Sequence, residues 1–144
     1  MFKKVLIPTD GSDIANEAGV RAVSLARLAG AAATVVYVQD VYAYGGIGEA
    51  NAAGVLAYTT AARAQGLAAT QKIAEAAREA GVPVDTVVVE NHHTAAGIVD
   101  AAQACGADLI AMGSHGRSGL EHLVLGSVTT KVLALSKIPV LVLK

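Results

Sequence analysis

Apolar and polar positions along this chain follow two periods that take turns. Lys4-Val5-Leu6-Ile7-Pro8 is a short β-branched and aliphatic run closed by proline, the pattern of a strand buried on both faces. Ser12 and Asp13 then offer N-caps, and Ala15, Ala18, Ala22, Leu25 and Ala29 recur at spacings of three and four, a helical stripe that Gly30 ends. Thr34–Val38 predicts a second strand, with Gln39 and Asp40 at its carboxyl end. The range 41–58 carries Gly45, Gly46, Gly48 and Gly54 and predicts a loop or flexible lid. A long alanine-rich helix is expected from Thr59 to Ala80, with a stripe of Ala69, Ile73, Ala76 and Ala80 and a stop at Gly81. Asp85–Glu90 predicts a third strand. Thr94 is expected to cap a third helix whose Ala95, Ile98, Val99, Ala102 and Cys105 face inward and which Gly106 ends. Asp108–Met112 reads as strand four, 127–136 as a last helix and Pro139–Leu143 as strand five.

Strands alternating with helices of this length imply right-handed βαβ units. The expected fold is α/β: one Rossmann-like open five-stranded parallel sheet, order 3-2-1-4-5, with helices on both faces. A chain of 144 residues suits one domain over 1–144, and 53% hydrophobic against 16% charged residues excludes a disordered polymer. Lysine plus arginine number 11 and aspartate plus glutamate 12, so no long-range field attracts nucleic acid or anionic lipid. Aromatics at 3% speak against base-stacking platforms. No uncharged run approaches the ~18–20 apolar residues of a bilayer span, so no membrane insertion is expected. The lone Cys105 excludes an internal disulfide, suits a reducing cytoplasm, and falls in a stripe where a buried structural thiol is expected.

Sheets of this kind bind ligands beyond the carboxyl ends of their strands, where the strand order reverses. For the order above that place lies between strands one and four. Pro8-Thr9-Asp10-Gly11-Ser12 follows strand one, and the glycine-rich stretch from Gly113 to Gly126 follows strand four. Gly126-Ser127 opens a helix directly afterwards, so this stretch has the parts of a phosphate cradle: amides free of side chains and a helix start. The alternative is that its glycines merely turn a tight loop. Neither G-x-x-x-x-G-K-[ST] nor a G-x-G-x-x-G after strand one is present. His92-His93 reads as an exposed turn, since adjacent side chains rarely meet one metal ion. Ser118 lacks the G-x-S-x-G setting of a nucleophile. Glu121 and His122 stand as an acid–base pair or as loop surface, and Tyr42, Tyr44 and Tyr58 flank the irregular segment.

The spacing Gly113-x2-Gly116-x9-Gly126-Ser127, with Asp10 after strand one, resembles the universal stress protein family, in its ATP-binding branch with the pattern G-x2-G-x9-G-[ST]. Lys3–Ser12 is similar to the family's opening, Ala107–Arg117 to its strand-four signature, and Leu125–Thr129 with Pro139–Val142 to its last helix and strand. The resemblance implies an ATP site, or an AMP site, with magnesium or manganese accompanying the triphosphate. It implies Asp10 at the ribose with Pro8 and Thr9 beside it, and the backbone of Val38 or Gln39 at the adenine. Met112 and Gly113 would line the ribose. Gly116, Gly126, Ser127 and Val128 would offer amides to the phosphates, with Thr129 next in the same turn and His115 and Arg117 near the outer phosphates. The resemblance also implies a homodimer paired antiparallel through 139–143 and a nucleotide-dependent regulator of a protein partner, while the charge balance speaks for no bound nucleic acid. Two alternatives remain: a slow ATPase or adenylate-transferring enzyme in the same cleft, and a nucleotide-free interaction module. Two departures from the family stand out: Ala15 where a second serine is frequent, and Asn91-His92-His93-Thr94 where a Gly-x-Pro turn is common.

Overall fold

The computed structural model describes residues 1–40, 52–117 and 124–144. Five strands, β1 (Lys4–Pro8), β2 (Ala32–Gln39), β3 (Val84–Glu90), β4 (Leu109–Gly113) and β5 (Val140–Leu143), form one sheet. All four strand pairs are parallel, as the alternation of periods predicts, and the order is the expected β3-β2-β1-β4-β5. Four helices connect them: α1 (Asp13–Ala29), α2 (Ala52–Glu79), α3 (Thr94–Cys105) and α4 (Ser127–Leu135).

Alternation along β1 divides the core in two. Val5 and Ile7 face α1 and α2, packing with Ala22, Val23, Ala26, Ile73 and Ala77. Leu6 faces α3 and α4, packing with Ile98, Val99, Ala102, Met112 and Val132. Burying strand residues on both faces is what makes β1 and β4 continuous apolar runs.

Four expectations need correction. The α2 helix begins at Ala52, so 52–58 is helical, while 41–51 lies outside the described residues. Alanine and leucine at Ala52, Ala53, Leu56 and Ala57 outweigh the single Gly54 in helix propensity. Its buried face is Gly66, Thr70, Ile73, Ala74 and Ala77, while Ala69, Ala76 and Ala80 are only half-buried at its margin. Thr94 is the first residue of α3 rather than its cap: His93 holds the N-cap place, and Asn91 Oδ1 accepts the His93 N–H at 2.9 Å in an Asx turn. Cys105 is half-buried, at the outer edge of its stripe. Among the described residues no helix is long and apolar enough to cross a membrane.

Candidate functional site

The carboxyl ends of β1, β2 and β4 open into a cleft of about 330 Å³ at the point where the strand order reverses. Of the residues expected there, Pro8, Thr9, Asp10, Val38, Met112, Gly113, His115, Gly116, Arg117, Gly126, Ser127, Val128 and Thr129 all line it. Gln39 does not; it is buried and its carbonyl accepts the Asn91 N–H at 3.1 Å, so of the two candidates Val38 is the one at the cleft. Ser118, Glu121, His122, Tyr42 and Tyr44 lie outside the described residues, and Tyr58 sits on α2.

The β1–α1 turn is built on a small buried network. The Thr9 hydroxyl accepts the Gly11 N–H at 3.0 Å and donates to Asn16 Oδ1 at 3.3 Å, while Asn16 Nδ2 donates to the Gly11 carbonyl at 3.3 Å. Thr9 and Asn16 are both buried, so these bonds satisfy groups that have lost water. Gly11 takes φ +81°, a left-handed conformation that disfavours any side chain. The result is a rigid turn that aims Asp10 across the cleft. Its Oδ1 accepts the Ser12 N–H at 2.9 Å and its Oδ2 the Arg117 N–H at 2.7 Å. Arg117 returns a second bond, Nε–H to the Asp10 carbonyl at 3.0 Å.

The opposite wall is the start of the β4–α4 connection. Ser114 is buried, donates its N–H to the Leu143 carbonyl at 3.0 Å, and places its hydroxyl 3.0 Å from His115 Nδ1. Thr129, also buried, shares its hydroxyl proton between the Gly113 carbonyl at 3.0 Å and the Ser114 carbonyl at 3.3 Å. These bonds fix α4 against the end of β4, with its first turn on the cleft.

Two details change the expected chemistry. The Gly126 amide is already used, donating to the Ser114 carbonyl at 2.7 Å. The amides of the first helical turn, Ser127, Val128 and Thr129, have no acceptor within the helix, and no side chain caps it. At Gly116 an added Cβ would lie 2.4 Å from Asp10 Oδ2, so this glycine makes room for the protein's own carboxylate. At its described ends, then, the stretch packs closely, Gly116 against Asp10 and Gly126 against Ser114, and it leads into a helix start that no side chain caps.

Sequence reasoning missed Ala15, Val36, Tyr37, Thr94 and Ile98, which complete the lining. Thr94 and Ile98 stand four apart on α3, one face of one helix, and that spacing was the available signal. Pro8, Val36, Val38, Ile98 and Met112, from β1, β2, α3 and β4, give the cleft an apolar slot.

Comparison with known proteins matches the universal stress protein family over residues 1–144. Universal stress protein MJ0531 of Methanocaldococcus jannaschii is 36% identical over all of this chain and 83% of its own length. The structure of UspA from Lactobacillus plantarum superposes with a TM-score of 0.83 at 26% identity, covering 99% of this chain and 97% of that one. A universal stress protein crystallised in complex with cAMP shares the fold at a TM-score of 0.70 and 24% identity, covering 99% and 96%.

Proposed function

The chain belongs to the universal stress protein family, and from that premise we propose that it binds an adenine nucleotide, ATP or AMP, and acts as a nucleotide-dependent stress-response regulator. The observation that carries this reading is an apolar slot and an uncapped helix start within one cavity. The slot of Val36, Val38, Ile98 and Met112 suits a base, whose faces are apolar. The amides of Ser127 and Val128 suit a phosphate, because a helix start concentrates unsatisfied N–H groups and positive potential. Asp10 lines the same cleft, and a carboxylate that accepts two N–H bonds keeps lone pairs for ribose hydroxyls.

The same carboxylate favours binding over turnover. Asp10 is the sole aspartate or glutamate lining the cleft among the described residues, and each of its oxygens already accepts an amide proton. Phosphoryl transfer needs a positioned base and metal ligands, so magnesium or manganese would arrive with a triphosphate. The proposal extends to a cytoplasmic homodimer through 139–143 that presents the nucleotide state to a protein partner. Its support is β5, an edge strand hydrogen-bonded to β4 alone whose outer backbone groups can pair with a second copy.

The test is a calorimetric titration of AMP and of magnesium-ATP into the protein and into Ser127→Asp. Aspartate in the first helical turn supports the helix electrostatically while placing a negative charge where the phosphate would sit. Saturable binding in the native protein, lost in a variant of equal thermal midpoint, is expected. Absence of binding of either nucleotide to the native protein overturns the reading.

A further inference from the structure

Arg117 is the only arginine or lysine between Gly113 and Ser127, and the only one among the described residues that line the cleft. It is therefore the one fixed cation this wall can offer to a polyphosphate. In the structure that cation is engaged elsewhere. Its Nε–H donates to the Asp10 carbonyl at 3.0 Å, its amide donates to Asp10 Oδ2 at 2.7 Å, and its guanidinium lies over the β1–α1 turn, with Nη2 3.9 Å from where a Cβ on Gly11 would stand. Gly116 permits this approach, since any side chain there would strike Asp10 Oδ2.

We infer that Arg117 sets how many phosphates the cleft favours, and that Asp10 holds it in the setting that suits one. The inference rests on the adenine-nucleotide reading above. A single phosphate can be met by the first amides of α4 with no side-chain cation. Each further phosphate adds negative charge that those amides do not neutralise, and Arg117 is the group that can answer it. Engaging a β- or γ-phosphate exchanges the Nε–H bond to a neutral carbonyl for one in which donor and acceptor are both ionised. Arg117 is exposed, so little packing opposes the exchange. The ribose and the outer phosphates are then coupled through one residue: Asp10 faces the ribose and releases Arg117 when the phosphate chain is long.

The experiment titrates AMP and ATP, in one magnesium buffer, into the native protein and Arg117→Gln, and follows the Arg117 Nε–H resonance of the native protein by nitrogen-15 NMR. The preference for ATP over AMP is expected to fall about tenfold in the variant, the loss of one charge-assisted bond. The Nε–H resonance is expected to move with ATP and to hold its place with AMP. A preference within twofold of native, or a resonance that moves alike with both nucleotides, overturns the inference while leaving the nucleotide site standing. A native protein that binds neither nucleotide overturns the site and this inference together.

Discussion

Two aspartates tie β1 to β4, one at each end of the strand pair. At the amino ends, Asp108 accepts the Lys3 N–H at 3.1 and 2.8 Å through its two oxygens and the Lys4 N–H at 3.0 Å. At the carboxyl ends, Asp10 accepts the Ser12 and Arg117 amides. The chemistry is the same, a carboxylate satisfying backbone donors across two chain segments. The partners differ. Those of Asp108 belong to the start of a strand whose register is fixed by two neighbours, so the tie has one geometry. The long-range partner of Asp10 belongs to an exposed residue in the connection to α4, outside any strand. Both ends use a carboxylate to hold; only at the Asp10 end does the residue held, Arg117, also carry a side chain on the cleft.

The comparison breaks most sharply at Gly116. In Gly116→Val the new Cβ would lie 2.4 Å from Asp10 Oδ2, so the carboxylate must leave its place and the tie to Arg117 goes with it. Nucleotide affinity measured by calorimetry is expected to fall about a hundredfold, roughly 3 kcal/mol. A fall of less than threefold would mean that Asp10 has no part in the site.

A smaller effect is expected at the other end, and it carries a pH signature. The backbone bonds from Lys4 and then Lys3 lower the Asp108 pKa below its ordinary value of 3.8. A carboxyl lowered by folding stabilises the fold fully above its unfolded pKa, and loses that contribution as pH falls through the lower folded value. Asp108→Asn is therefore expected to cost about 1 kcal/mol at pH 7, discounted for solvent exposure. Urea unfolding should show this gap close on acidification below the ordinary aspartate range, with nucleotide affinity retained. Loss of affinity at intact stability would erase the distinction between the two ends.

The sheet was legible in the sequence because its signals are local: apolar runs for β1 and β4, stripes closed by Gly30, Gly81 and Gly106 for the helices. The candidate site was legible in its two loops for the same reason. What escaped depends on approach between distant segments. That Gly116 shelters Asp10, that the Gly126 amide is spent on Ser114, and that Thr94 and Ile98 reach the cleft are facts of how α3, α4 and β1 converge. Val38 and Gln39 could not be separated by spacing alone. Their neighbours decide it, the Gln39 carbonyl being taken by Asn91 across the turn after β3.

Everything above turns on whether the Asp10 end of the sheet, and not the Asp108 end, is the ligand site. Backbone amide shifts on addition of AMP test it most directly, because every assigned residue reports. Shifts are expected to concentrate at Asp10, Val38, Met112, Ser127 and Val128, with Lys3, Lys4 and Asp108 unmoved. Shifts centred on the Asp108 end, or spread evenly over the chain, would contradict it.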